Sequence, residues 1–150
     1  GYLRPYAPCA NDMAPTILVL EDDSIVSLGT PGSNRIPSIL SGVITNMVDR
    51  GMSLQGAVEA PRIVWGGYPL VTIEAEVADA VTDTYLDALE SMGFEHPPLR
   101  IHFPAQSIDL ADFGGVNAAL YNPTEGTYTG IVDGRRGGLA KGPRVVAVAR

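Results

Sequence analysis

The stretch from Ser27 to Leu40 constrains the fold of this chain more than any other feature. Its sequence, SLGTPGSNRIPSIL, takes the chain from a β-rich run into a helical pattern with only a few small residues between them. A sharp strand-to-helix turn of small residues directs several backbone N–H groups to one side, and such a cluster holds a bound anion or a developing oxyanion. The stretch therefore indicates a mixed fold with a candidate chemical site at the turn.

Hydrophobic patterning predicts helices inserted between antiparallel strands. Runs of β-rich residues at 16–20 and 24–30, joined by a polar turn, predict a hairpin. After the candidate turn, apolar residues fall on one helical stripe: Ile36, Ile39, Leu40, Val43, Ile44, Met47 and Val48. Three further elements are a short helix at 54–60 capped by Ser53, a strand at 71–76 with one solvent-facing side and a helix at 80–92. Strands are predicted at 106–110, 115–121 and 128–133, the last two joined by a turn at 122–126, and an edge strand is predicted at 143–150. This order indicates a layered α+β fold, with residues 1–150 as a single domain.

Composition excludes several classes of partner. The net charge is −7 and the ten Lys and Arg residues are scattered, which argues against binding to nucleic acid or to an anionic membrane surface. No apolar run approaches the roughly 20 residues needed to span a bilayer. One cysteine, Cys9, and two histidines give neither an internal disulfide nor a metal-ligand spacing, so we expect no metal and no other cofactor. A small molecule or a peptide is the expected partner.

Four segments carry distinctive motifs. They read DMAPTI at 12–17, LGTPGSNRI at 28–36, GMSLQGAVEAPR at 51–62 and, between 130 and 142, a closing element with Asp-Gly-Arg-Arg. In this order they resemble Ser-Met-Ser-Pro-Thr-Ile, Gly-Ser-Pro-Gly-Gly-Ser-Arg-Ile, Gly-Met-Ser-Leu-Gln-Glu-Ala-Val-Asp-Ala-Pro-Arg and the Asp-Pro-Arg-Arg element of gamma-glutamyltransferases (gamma-glutamyltranspeptidases). These enzymes are N-terminal-nucleophile hydrolases, so the resemblance implies part of an αββα layered sandwich.

The resemblance implies an amidohydrolase that transfers a gamma-glutamyl or related acyl group to water or to an amine, as in glutathione metabolism. In that family the nucleophile is a Thr at the N-terminus of the small subunit, exposed by self-cleavage, and its α-amine acts as base. The similarity begins past that Thr. The first residues, GYLRPY, show no initiator Met and no signal-peptide pattern, which indicates a start after a processing site or at an artificial boundary. We therefore expect the C-terminal portion of a small subunit that lacks its nucleophile strand and is inactive alone.

The same resemblance implies partners and a compartment. The large subunit and the upstream part of the small subunit, both from one precursor, would complete the enzyme. Without them we expect exposed apolar sheet edges, which the isolated chain would cover by forming a homodimer or by aggregating. The family suggests a periplasmic or secreted location, with the cytoplasm as the alternative.

The Pro-Gly turn carries the catalytic positions that the resemblance implies. Gly32 and Ser33 would donate backbone N–H groups to the oxyanion, and one such donor is typically worth about 3 to 4 kcal/mol in the transition state. Ser33 stands where the family has a glycine, which matters if this position needs a positive φ. The alternative is that the turn only leads into a helix capped by Ser33 or Asn34.

Asn11 and Asp12 occupy the place of the Ser pair that binds the α-carboxylate of the gamma-glutamyl donor in the family. A carboxylate at Asp12 would repel such a donor at close range. Either Asn11 alone binds the donor while Asp12 points elsewhere, or the acyl group is neutral or cationic, as in an acylase-like relative. A plain turn before the strand is the structural alternative. A rival function of another class is a non-catalytic module that captures a phosphate or a carboxylate at the Pro-Gly turn.

Two further features have structural interpretations. Asp133, Arg135 and Arg136 are predicted to form a salt bridge at the end of a strand. The glycine pairs at 114–115 and 137–138 are expected to serve tight turns or a close approach of strands rather than phosphate binding.

Overall fold

A four-stranded antiparallel sheet dominates the computed structural model, which describes residues 12–65, 71–74, 87–88, 90–92, 99–102 and 113–141. In chain order the strands and helices are β1 (Thr16–Val19), β2 (Ile25–Gly29), α1 (Ile36–Val48), α2 (Leu54–Glu59), β3 (Ile63–Trp65), β4 (Val71–Glu74), β5 (Leu99–His102), β6 (Asn117–Asn122) and β7 (Thr127–Val132). The large sheet has the order β1-β2-β6-β7. The predicted α+β class is confirmed.

Two hairpins build the large sheet. In the first, β1 pairs with β2, and the polar turn between them is closed by a hydrogen bond from Leu20 N to Ser24 O of 2.9 Å. In the second, β6 pairs with β7 around the turn at 123–126, as predicted. The hairpins join where β2 pairs antiparallel with β6, which places Gly29 opposite Asn117. This pairing brings the end of β2 beside the residues that precede β6.

A smaller sheet contains two strands that the sequence did not predict. β4 pairs antiparallel with β3 and parallel with β5, and only β4 was expected. β3 has three residues, too few for a period to be visible, and β5 lies in a segment that its prolines marked as a link. Helical residues at 87–88 and 90–91 agree with the predicted helix at 80–92, most of which lies outside the described residues, as do the strands predicted at 106–110 and 143–150.

Both predicted helices at 36–60 form. In α1 the apolar stripe is buried through Val43, and Pro37 is accommodated in the first turn, where its missing N–H costs nothing. At the end of the stripe Val48 is exposed, contrary to expectation, because the helix ends there. In α2 the side chain of Ser53 accepts a hydrogen bond from Gly56 N at 3.1 Å, which confirms the predicted cap.

The large sheet is covered on one face and open on the other. Alternate side chains of the strands, such as Val26 and Ile131, pack with α1 and α2 in one hydrophobic cluster. The side chains between them point the opposite way. On that second face Ile17, Val19 and Tyr128 are each about 70% exposed. Within the described part of the chain, helices therefore cover one face of this sheet only, and apolar surface lies bare on the other.

Candidate functional site

The turn between β2 and α1 has a left-handed backbone at two successive residues. Gly32 has φ of 152° and Ser33 has φ of 52°. A single 3-10 turn over Ser33–Arg35 follows, with Arg35 N donating to Gly32 O at 3.1 Å, and α1 begins directly after it. A left-handed conformation costs a residue with a Cβ atom about 1–2 kcal/mol. Ser33 therefore has a strained, positive-φ conformation, and it is the position at which the resembling family has a glycine.

The helix-cap alternative is wrong. Arg35 is the residue that precedes α1, and no side chain caps either the 3-10 turn or the helix. Instead of capping, the Ser33 hydroxyl donates to Asp12 Oδ2 at 3.1 Å. The Ser33 side chain thus contacts a residue 21 positions earlier in the chain.

The turn leaves backbone donors unpaired. Among the described residues, no acceptor receives the N–H of Gly32 or of Ser33. An open pocket of about 360 Å³ adjoins the turn, and its lining is mainly apolar: Met13, Ala14, Pro15, Gly29, Thr30 and Ile36. Unpaired N–H groups in a left-handed turn are a suitable site for negative charge, bound or developing.

Asp12 is the acidic member of the site. It is exposed, and the Ser33 hydroxyl holds its carboxylate beside the turn. The structure thus brings together Asp12, Gly32 and Ser33, three of the four residues that the sequence singled out. The fourth, Asn11, lies outside the described residues.

The turn is held from behind by the glycines that precede β6. Thr30 Oγ1 accepts a hydrogen bond from Gly115 N at 3.0 Å and donates one to Pro31 O at 2.9 Å. Gly114, with φ of 74°, packs so closely that an added Cβ would lie 2.5 Å from Thr30 Oγ1 and 2.9 Å from Pro31 O. The expectation that this glycine pair serves close approach is confirmed. Sequence reasoning did not foresee that the neighbour is the candidate turn itself.

Behind the glycines lies a buried network of two arginines and two carboxylates. Arg62 contacts Asp133 (Nη1–Oδ2 2.7 Å), and Arg135 contacts Asp133 (Nη1–Oδ1 3.1 Å). Arg135 also forms a two-pronged ion pair with Glu74, through Nε to Oε1 and through Nη2 to Oε2 at 2.6 Å. Arg62, Glu74 and Asp133 are each less than 10% exposed. Charge therefore balances inside the core, which buried ions require.

The network fixes main-chain segments as well as side chains. Arg62 donates from Nη1 to Phe113 O and from Nη2 to Val58 O, each at 2.7 Å. Asp133 Oδ2 accepts from Val116 N at 3.1 Å, and Asp133 N donates to Val116 O at 3.0 Å. The end of α2, the residue before β3, the residue after β7 and the segment at 113–116 are thereby joined.

Burial and neighbouring charges shift the pKa values of Asp133, Arg62 and Arg135. Burial by itself would raise the pKa of Asp133, but the N–H groups of Arg135 and Val116 and the charge of Arg62 outweigh burial and lower the pKa below its usual 3.8. Burial, with the like charge of Arg135, lowers the pKa of Arg62. Burial also disfavours the charge on Arg135, but the ion pair with Glu74 raises the pKa of that guanidinium.

The sequence found only part of this network. The salt bridge predicted at the strand end exists between Asp133 and Arg135. The strand at 71–76 was predicted to turn one side to solvent. Its acidic Glu74 is instead buried, because its carboxylate accepts from Arg62 N and from the Arg135 guanidinium. The network could have been predicted from Arg62, the last residue of the motif at 51–62. A buried arginine needs a carboxylate partner.

Two kinds of site are not found among the described residues. No three His, Cys, Asp or Glu side chains there are grouped closely enough to hold a metal ion. In the same ranges no helix combines the length and the apolar character that crossing a membrane would need.

Known proteins resemble this chain along most of its length. Residues 2–142 match the family described as Gamma-glutamyltranspeptidase. The chain is 38% identical over 127 residues to an Acylase ACY 1 proenzyme of Pseudomonas sp. strain V22, which covers 84% of the chain and 20% of that protein. It is 30% identical over 140 residues to a glutathione hydrolase proenzyme of Bacillus subtilis strain 168, which covers 93% of the chain and 22% of that protein. The chain thus spans about a fifth of the length of these curated relatives.

The fold is also found in solved structures. The crystal structure of the transpeptidase CapD from Bacillus anthracis superposes with a TM-score of 0.69 at 27% identity, covering 93% of this chain and 75% of that one. A mutant gamma-glutamyltranspeptidase of Helicobacter pylori gives a TM-score of 0.63 at 26% identity, covering 89% of this chain and 65% of that one.

Proposed function

The chain belongs to the gamma-glutamyltranspeptidase family, and on that basis we propose that it supplies the oxyanion-binding part of an acyl-transfer site. The fold is that of the N-terminal-nucleophile hydrolases, and the family's relatives are amidohydrolases and transpeptidases. The observation that carries the proposal is the pair of Gly32 and Ser33 N–H groups, which no described residue accepts, beside an open pocket.

In the proposed reaction a nucleophile attacks the carbonyl carbon of an amide, and the oxygen becomes an oxyanion. Gly32 and Ser33 would each donate an N–H to that oxygen, and the acyl group would then pass to water or to an amine. The turn is already ordered, so little reorganisation is needed when charge develops. The nucleophile is a Thr in the upstream part of the precursor, with its own α-amine as base. Because residues 1–150 would lack that nucleophile, they would be inactive by themselves.

The rest of the precursor is the proposed partner, as large subunit and as upstream part of the small subunit. The bare face of the large sheet supports this, because a face with Ile17, Val19 and Tyr128 exposed needs a cover. In the complete protein, Val19→Lys should weaken subunit association, while Thr45→Lys on an exposed position of α1 should not. Equal elution of both variants as intact heterodimers in size-exclusion chromatography would refute the assignment of this face.

The oxyanion role is tested by removing one N–H without changing a side chain. In the complete enzyme, Ser33 is replaced by its α-hydroxy acid analogue, which turns the amide into an ester. We expect kcat for an anilide substrate to fall about 100- to 1,000-fold. The same replacement at Gly126, in the exposed β6–β7 turn, is the control and should leave kcat within twofold. An unchanged kcat at position 33 would refute the role, and saturable phosphate binding without turnover would favour the anion-binding module.

We further propose that the acyl donor carries no carboxylate next to Asp12. Asp12 is held at the turn as an acceptor for the Ser33 hydroxyl, and two carboxylates at such range repel each other.

Matched substrates test the donor. Gamma-glutamyl-p-nitroanilide and 4-aminobutyryl-p-nitroanilide differ only in the α-carboxylate. The enzyme should prefer the second by kcat/KM, and Asp12→Ser should shift the preference toward the first. A preference for the gamma-glutamyl compound that Asp12→Ser leaves unchanged would show that Asp12 does not face the donor.

A further inference from the structure

We propose that Thr30 is a positioning residue, which aims the Gly32 N–H at the oxyanion and transmits the rigidity of the buried ion network to the turn. This inference rests on the proposed oxyanion role of Gly32.

The first step is the peptide that joins Pro31 to Gly32. Its C=O belongs to Pro31 and its N–H to Gly32, and because the peptide is planar and trans, the two groups point in opposite directions. Thr30 Oγ1 donates to Pro31 O at 2.9 Å. Fixing the Pro31 carbonyl therefore fixes the direction of the Gly32 N–H, which lies in the same peptide plane on the opposite side of the C–N bond.

The second step is the direction of the Thr30 hydroxyl. Its oxygen accepts from Gly115 N at 3.0 Å, so its proton points away from that N–H, and the Pro31 carbonyl accepts it. A hydroxyl without this second partner would rotate. Gly115 thus sets the orientation of Thr30, and Thr30 sets the orientation of the Pro31–Gly32 peptide.

The third step is the rigidity of the 113–116 segment. It is held at one end by Arg62, which donates to Phe113 O, and at the other by Asp133, which exchanges hydrogen bonds with Val116. Phe113 and Val116 are fully buried. The 113–116 segment, which the charge-balanced network holds in place, therefore stands two hydrogen bonds away from the proposed catalytic donor.

The decisive comparison uses three substitutions in the complete enzyme. Thr30→Val keeps the shape and removes the hydroxyl, whereas Thr30→Ser keeps the hydroxyl. We expect kcat to fall at least tenfold in Thr30→Val with KM changed less than threefold, and to recover to within threefold of the parent in Thr30→Ser. Replacing Gly32 by glycolic acid removes its N–H, and in that background Thr30→Val should cause no further loss of kcat.

The outcomes separate the two proposals. If glycolic acid at position 32 leaves kcat unchanged, the oxyanion role of Gly32 is wrong. If it lowers kcat while Thr30→Val does not, or if Thr30→Val and Thr30→Ser behave alike, the positioning role is wrong and the oxyanion role stands. Should Thr30→Val give no folded enzyme, glycolic acid at position 115 frees the hydroxyl without touching Thr30. A partial loss of kcat there supports the inference, and an unchanged kcat overturns it.

Discussion

Gly114→Ala tests how tightly the segment before β6 supports the turn. Gly114 has φ of 74°, where a residue with a Cβ costs about 1–2 kcal/mol. The new Cβ would lie 2.5 Å from Thr30 Oγ1, 2.8 Å from Ile39 Cδ1 and 2.9 Å from Pro31 O, and overpacking of this kind costs about 1–3 kcal/mol. The free energy of unfolding should therefore fall by about 2–5 kcal/mol, a large part of the 5–15 kcal/mol typical of a domain.

The matched control is Gly126→Ala. Gly126 has φ of 64°, but apart from its chain neighbours no described heavy atom lies within 4 Å of the position that a Cβ would take, so only the backbone cost of about 1–2 kcal/mol applies. Urea unfolding of the complete protein measures the two losses, and anilide hydrolysis measures kcat. We expect Gly114→Ala to lose more stability and, because the clash displaces Pro31, to lose activity as well. Equal destabilisation of the two variants with equal kcat would refute the proposed contact.

Three other predictions follow from the same contacts. Asp133→Asn leaves Arg62 without its carboxylate and should lower the free energy of unfolding by about 3–5 kcal/mol at pH 7. Folding lowers the pKa of Asp133, so the stabilisation from its charge is present above the usual pKa of 3.8 and is lost as pH falls through the lower folded value. A difference in urea midpoint between parent and variant that stays constant from pH 7 to pH 3 would contradict this. Ser33→Gly relieves the positive φ whereas Ser33→Ala does not, so the glycine variant should be more stable by about 1–2 kcal/mol, and a more stable alanine variant would rule out the left-handed backbone. Ser53→Ala removes the cap of α2 and should cost about 1 kcal/mol, with Ser53→Asp near neutral; thermal unfolding compares the two.

Local patterns predicted the parts of the fold whose signals lie in a few neighbouring residues. The apolar period of α1, the cap at Ser53 and the two hairpins depend on such signals, and all of them form. β3 and β5 were missed because short strands are defined by their partners, which here come from distant parts of the chain. The order of the elements was therefore predictable, and the second sheet was not.

The same distinction applies to the candidate site. Gly32 and Ser33 were identified because their motif is contiguous, and the strain at Ser33 was raised as a question by the missing glycine. The strand at 71–76 was predicted to turn one side to solvent, yet its acidic Glu74 pairs with Arg135. Alternation of residue types shows that a strand has two faces, but it does not show which residues each face contacts. Contacts between residues 60 or more positions apart cannot be seen in a local pattern.

Those distant contacts explain how Ser33 can keep a left-handed backbone conformation in the turn. Such a conformation persists only when its surroundings fix it more strongly than the strain of about 1–2 kcal/mol. Thr30, held by Gly115, supports the turn from behind. Arg62 and Asp133 in turn hold the segment that contains Gly115, and breaking this buried pair costs about 3–5 kcal/mol. All of this support lies on the core side. The pocket side is left with N–H groups that no described residue accepts, which is the arrangement that an oxyanion requires.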